Sequence, residues 1–226
     1  MTERERILAR IREALQVAAP LPRHGHEHAS MPGPPSHGAR EWLPLVGPTF
    51  EDRLSLFQKN ATDLRAEFHL LQTKESLAKT LQNLRDAEGW KRVATHRREL
   101  TEVATQSLNL PMCWTDKGYE VSELEQCDAG ITACDALIAQ TGSVLLTSRS
   151  AGGRALSVLP PHHVVLAKRE QLVADLPEAF ALLKQQYAPN YPSFITLITG
   201  PSRTGDIERI LVLGAHGPKK LTILAL

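Results

Sequence analysis

Between Thr199 and Pro218 the chain reads TGPSRTGDIERILVLGAHGP. Ser202, Arg203, Thr204 and Asp206 fall within five positions, and Gly214-Ala215-His216-Gly217-Pro218 follows a second apolar run. Two short hydroxyls and a fork-shaped guanidinium can share one carboxylate or phosphate, with arginine supplying two parallel bonds. Gly200 and Gly205 would let backbone amides turn inward as a nest. The competing reading is a tight turn whose Arg203 sits in solvent or pairs with Asp206. Asp206 and Glu208 suit helix capping or the orientation of Arg203, and as paired carboxylates could also serve acid–base chemistry. His216, flanked by glycines, has the pKa range of a proton-transfer group, although a histidine at a hairpin tip is often only structural. Neither a Walker lysine nor G-x-G-x-x-G occurs, so no nucleotide cradle of known type is supported.

A second hydroxyl-rich turn, Thr141-Gly142-Ser143, opens an apolar segment. Gly142 there would allow close backbone approach to a ligand, or the turn is an ordinary loop-to-strand junction. Arg154 follows Gly152-Gly153 and is either an anion clamp or a surface charge. His162 and His163 start a strand, and alternation predicts that at most one faces the core. Cys134 lies beside Asp135 and has no basic neighbour in sequence to lower its pKa, so a nucleophilic role is weak. An anion site built from these groups requires the 199–218 and 141–143 turns to meet over a positively charged floor at Arg203.

The elements that must position these groups are those of one domain with an appendage. The chain has 226 residues, 42% of them apolar and 23% charged, which is enough for a real core. A formal charge of +1 and an aromatic content of 5% argue against a nucleic-acid surface. Cys113, Cys127 and Cys134 are odd in number and form no C-x-x-C. A cluster or zinc site made by this chain alone is therefore disfavoured, and a reducing cytoplasm is expected. No signal core or membrane-length apolar run is seen.

Residues 3–16 predict an amphipathic helix, suited to docking on its own domain or to binding a partner. Residues 18–48 carry seven prolines and four glycines, which predicts an irregular linker. Its His24, His26, His28 and His37 are read as solvated, with metal binding the alternative. Residues 1–48 are thus an N-terminal extension and 49–226 the folded domain. Helices are predicted over 50–71, 74–87, 96–109 and 171–186, the last breaking or restarting near Leu176 at Pro177. Strands are predicted at 91–95, 112–115, the start of 130–148, VLLT, HVVLA, FITLIT, ILVL and LTILAL, with a short helical patch after Asp135. FITLIT and ILVL read as buried, and the Gly214–Lys220 turn would join the final two strands as a hairpin. The alternation gives an α/β fold, an open, mostly parallel sheet flanked by helices.

The motifs D-x-GIT-x-x-D-x-x-IA-x-TGS-x-x-L (128–146), the Arg154 to Leu159-Pro160 stretch with its following histidines, and GPSRT-x-DIE…LVLGAHGP (200–218) occur in that order. Together they resemble the LUD-domain family, more narrowly its lactate-utilisation protein C branch, over roughly residues 50–226. The resemblance implies a fold similar to the sugar-isomerase, CoA-transferase and formyltetrahydrofolate cyclo-ligase group. It also implies a part in oxidising L-lactate to pyruvate beside partner proteins, one of which carries iron–sulfur clusters. The family motifs fall on Thr141, Gly142, Ser143, Arg154, Ser202, Arg203, Thr204, Asp206, His216 and Gly217.

The first expectation is therefore a non-redox subunit that holds a small carboxylate or a partner surface. Arg203 would clamp the anion, Ser202 and Thr204 would hydrogen-bond it, and His216 would move a proton. A second reading is a stand-alone enzyme on a phosphorylated or acyl-CoA substrate, for which Asp206, Glu208 or Asp135 would be the nucleophile. A third is a non-catalytic assembly or regulatory module that docks through the N-terminal helix.

Overall fold

A computed structural model describes residues 3–16, 43–204, 212–214 and 216–226. The histidines of the linker, together with Asp206 and Glu208, lie outside the described residues. The chain divides into two units, Met1–Trp42 and Leu43–Leu226. In the first, helix α1 spans Glu3–Gln16.

The second unit is built on a parallel sheet of β1 (Glu67–Leu70), β2 (Val93–Thr95), β3 (Met112–Trp114), β4 (Ala129–Ala133), β7 (His162–Ala167) and β12 (Lys220–Ala225). The strand order is β1-β12-β7-β4-β2-β3. A second, mixed sheet has the order β8-β5-β6-β9. Its strands are β5 (Ala136–Ile138), β6 (Ser143–Thr147), β8 (Leu172–Val173) and β9 (Ile195–Ile198). A two-stranded ribbon pairs β10 (Arg203–Thr204) with β11 (Val212–Leu213).

Alternation along the strands sets the layers. Ile131, Val164, Leu166 and Leu224 leave one face of the parallel sheet to meet Leu77 and Leu81 of α3 (Lys74–Glu88) and Leu100, Ala104 and Leu108 of α4 (Glu99–Leu108). Val165, Ala167, Leu221, Ile223 and Ala225 leave the other face to meet Leu137, Val144 and Leu146 of the second sheet and Phe57 of α2 (Phe50–Asp63). The short helix α5 (Val121–Glu125) precedes β4, and the outer face of the second sheet is closed by α6 (Leu176–Tyr187) through Ala179 and Leu183. Full burial of a residue such as Phe57 is worth about 1.5–3 kcal/mol. The helix starts obey their local signals: Thr49 with Asp52, and Thr73 with Ser76, form reciprocal capping boxes. Asp175 caps α6 with Pro177 in its first turn, which is the fresh start foreseen near Leu176.

Five expectations need correction. The helix foreseen over 50–71 stops at Asp63; Arg65 adopts φ +65°, and the chain resumes as β1 on the edge of the parallel sheet. Phe68, counted on the helical stripe, reaches the same neighbour from the strand and packs edge-on to Phe57 at 5.1 Å. The helical patch after Asp135 is the strand β5. The final pair is no hairpin: β12 lies in the parallel sheet between β1 and β7, and β11 pairs with β10. β9 is an edge strand with Ile195 39% and Leu197 38% exposed. His162 and His163 are both buried, because β7 is covered on both faces. His162 stacks edge-on to Trp90, while His163 points to the opposite side.

Candidate functional site

The connections of the parallel sheet diverge between β2 and β4, which are neighbours. From β2 the chain crosses through α4 outward to β3, whereas β4 leads the other way to β7. Such a divergence leaves a crevice beyond the carboxyl ends of the strands. Here it is a cavity of about 460 Å³. Arg98 reaches it from the segment after β2, Cys134 and Asp135 from the end of β4, and Lys168 from the end of β7; α6 contributes Tyr187.

Asp135 is 6% exposed and anchors the floor. Its two carboxylate oxygens accept from the Ser150 hydroxyl and the Tyr187 hydroxyl, both at 2.5 Å. Ser150 Oγ also accepts the Thr147 N–H at 2.9 Å. This network ties β6, the loop after it and α6 to the end of β4. Burial, then the bond to Asp135, push the Tyr187 hydroxyl above its ordinary pKa. With both oxygens engaged, Asp135 is a fixed acceptor rather than a free nucleophile. The neighbouring Cys134 thiol is driven far above its ordinary pKa, first by burial and then by Asp135, and stays protonated.

The walls are charged, with Arg98 and Lys168 set beside Glu99. Arg98 Nη2 donates to the Arg149 carbonyl at 2.7 Å, and Lys168 Nζ donates to Glu99 Oε2 at 2.7 Å. The Lys168 bond holds the Glu99 carboxyl below its usual range, with Lys74 adding to the effect. These pairs are solvent-exposed and exchangeable. His96, just after β2, accepts the Ala133 N–H on Nε2 at 3.3 Å. Burial, aided by Arg98 and opposed by Asp116, lowers its pKa from 6.5 to about 4. It is therefore a neutral imidazole that braces the β2–β4 junction. Gly152, at φ +64°, passes so close that any side chain there would run into His96. Among the described residues, no group of three or more His, Cys, Asp or Glu is placed to hold a metal ion.

Most residues singled out in the sequence lie elsewhere. Ser202, His216 and Gly217 line a different cavity, of about 240 Å³, at the amino ends of the parallel strands. The turn is closed by the Ser202 N–H donating to the Pro218 carbonyl and the Gly214 N–H donating to the Ser202 carbonyl, both at 2.9 Å. Ser143 meets this region, its hydroxyl 2.8 Å from that of Thr199, so the two remote turns do come together. Arg203 is exposed on the β10–β11 ribbon and is not among the described lining residues. Thr204 sits beside it, half-buried and paired in register with Val212.

Gly142, at φ +64°, is required by packing: an added Cβ would stand 2.8 Å from the backbone of Asn60 and Ala61. Asn60 completes that contact by donating to the Ala139 and Gln140 carbonyls. The Thr141 hydroxyl is buried without a protein partner. Arg154 is exposed and donates to the Ser193 carbonyl at 2.8 Å, outside both cavities. Sequence reasoning missed His96, Arg98, Ser150, Lys168 and Tyr187 because each is an isolated residue at an element end. For His96 and Lys168 the available signal was their position immediately after apolar strands, visible in KRVATH and VVLAK.

A six-stranded parallel sheet flanked by helices, with a charged crevice at its carboxyl edge, defines the chain as an α/β protein. The chain belongs to the LUD-domain family, whose profile matches residues 54–226. Lactate utilization protein C of Bacillus subtilis strain 168 is 38% identical over 108 residues, which are 46% of this chain and 45% of that protein. The Bacillus licheniformis protein of the same name is 36% identical over 44% of this chain and 42% of its own length. That of Deinococcus radiodurans is 31% identical over 51% and 58%, respectively. The matches span about half the length of these relatives. A crystal structure of a DUF162 family protein from Deinococcus radiodurans superposes with a TM-score of 0.57 at 21% identity, covering 80% of this chain and 99% of that one. That likeness supports the α/β fold.

Proposed function

We propose that this chain is a non-redox subunit of an L-lactate utilisation system and holds a small carboxylate at the carboxyl edge of its parallel sheet. Arg98 pairs with the carboxylate and Lys168 exchanges its bond with Glu99 for the ligand. Asp135, fixed by Ser150 and Tyr187, accepts the ligand hydroxyl. The reading rests on one observation: Arg98, the exchangeable Lys168–Glu99 pair and the positioned buried carboxylate of Asp135 share one 460 Å³ crevice, in a chain similar to proteins named for lactate utilisation. Electron transfer then belongs to an iron–sulfur partner, and the α/β unit presents or receives the substrate.

Calorimetry with L-lactate and with pyruvate tests this on the wild type and on Arg98→Ala, Lys168→Ala and the double variant. Each single change is expected to weaken binding about tenfold, or about 1.4 kcal/mol. Undiminished heat in the double variant, or no heat in the wild type, removes the anion site. Arg203→Ala is the companion control and is expected to bind as the wild type does.

A further inference from the structure

The amino-edge cavity has a chemistry of its own. It opens at the start of β7 and β12, on the side of the sheet opposite to the crevice, and its volume is about 240 Å³. Leu197, Ile198, Pro201 and Leu221 are among its apolar lining residues. Among the described residues, five polar side chains interrupt this wall: Ser157, His163, Thr199, Ser202 and His216. Ser157 and His163 are each 1% exposed. Ser157 Oγ and His163 Nδ1 have no hydrogen-bond partner in the protein. His163 is held in place through its other nitrogen, which lies 2.9 Å from the Thr132 hydroxyl. No lysine, arginine, aspartate or glutamate is among the described lining residues.

Burying a hydroxyl or ring nitrogen without a partner costs about 1–3 kcal/mol, so two such atoms on one small cavity call for a shared partner. Among the described residues the wall offers no fixed cation, so an anion would enter at a large desolvation cost and a neutral partner is favoured. A purely apolar molecule would leave both polar atoms unmatched. An apolar cavity of about 150 Å³ admits benzene, so this one accommodates a ring with a short polar arm. Val158 and Leu197, 40% and 38% exposed, form an apolar mouth.

We propose that the amino-edge cavity is a second ligand site, for a small uncharged molecule with an apolar body and one hydroxyl-type head, the head lying between Ser157 and His163. The geometry of the head follows from the pair: a hydroxyl both donates and accepts, and so satisfies the serine together with either tautomer of the imidazole.

The test uses the full chain with ¹³C-labelled methyl groups and three probes of one shape: benzyl alcohol, toluene and benzoate. Benzyl alcohol is expected to shift the methyl signals of Val158, Leu197 and Leu221 saturably, and to leave those of Leu182 in the crevice unmoved. Toluene should bind about tenfold more weakly and benzoate more weakly still. Ser157→Ala, which loses no hydrogen bond and so remains folded, should reduce the affinity for benzyl alcohol at least fivefold and leave that for toluene unchanged. The proposal is overturned by an absence of saturable shifts, by toluene matching benzyl alcohol in the wild type, by benzoate binding best, or by an unaltered affinity in Ser157→Ala. L-Lactate titrated alongside should leave the amino-edge methyls still, so this site and the carboxylate site stand or fall separately.

Discussion

The two edges of one parallel sheet carry opposite chemistries. At the carboxyl edge the polar atoms are already matched: Asp135 accepts from Ser150 and Tyr187, and Lys168 reaches Glu99. At the amino edge Ser157 Oγ and His163 Nδ1 are buried without protein partners in a largely apolar wall. The difference teaches that a matched, charged crevice can exchange its ion pairs for an anion at small cost, whereas an unmatched, neutral cavity selects a ligand by completing its hydrogen bonds. Connectivity explains the split. Strand-to-helix loops leaving the carboxyl ends bring Arg98 and Lys168, while residues 200–202 and 216–218 cover the amino ends.

Acid gives the largest expected effect and strikes both edges. His96 and His163 have pKa values lowered from 6.5 to about 4 and about 3, burial being the main cause in each. The unfolded chain therefore binds more protons than the folded one below pH 6.5. Their contribution is fully present above that pH and is lost as the pH falls towards the folded values. Each should cost about 2 kcal/mol of stability between pH 7 and pH 5. Denaturant melts at both pH values check this, and His163→Gln should remove about half of the difference. An equal slope in the variant would show that the buried imidazole does not carry it.

Asp135→Ala breaks the contrast from the other side. It strands two buried hydroxyl donors, with an expected loss of about 3 kcal/mol and a lower thermal midpoint. The paired serines sharpen it further. Ser150→Ala should cost about 1–2 kcal/mol, because its hydroxyl serves both Asp135 and the Thr147 amide. Ser157→Ala should cost nothing or add slightly to stability, since it deletes an unmatched group. A chemical melt of the two variants side by side decides it, and equal losses would erase the proposed difference between the edges. The smallest effect belongs to the exposed Lys168–Glu99 pair: Glu99→Gln should leave the unfolding midpoint essentially unchanged, because solvent screens the pair. It should also tighten lactate binding by freeing Lys168, and calorimetry on that variant reads the change.

Particular residues show where the sequence was legible. Thr73, Ser76 and Gly89 bracket α3 because capping and a left-handed terminus are local matters. The segment HVVLA was recognisable as a strand from its apolar run. The end of the helix over 50–71 was not, since Phe68 fits a helical stripe and a strand equally well, and pairing with β12 decided between them. The same holds for Ala136–Ile138, a strand only because β6 and β8 flank it. In the site, the juncture of Ser202 with His216 and Gly217 was expected from the glycine-rich turns. The exposure of Arg203 was not, because an arginine beside a turn reads alike whether it faces a cavity or water.

The sequence by itself determined the helix caps, most strand positions, the α/β alternation and, through three ordered motifs, the LUD-domain family. Those properties depend on neighbours within a few residues, or on long patterns that survive as strings. Tertiary structure alone decided that β12 enters the middle of the parallel sheet. It also decided that His162 and His163 are buried on opposite faces, and that Arg98, Asp135, Lys168 and Tyr187 share a crevice. Those four residues come from four separate stretches of chain, and strand order, which a one-dimensional pattern does not encode, is what brings them together.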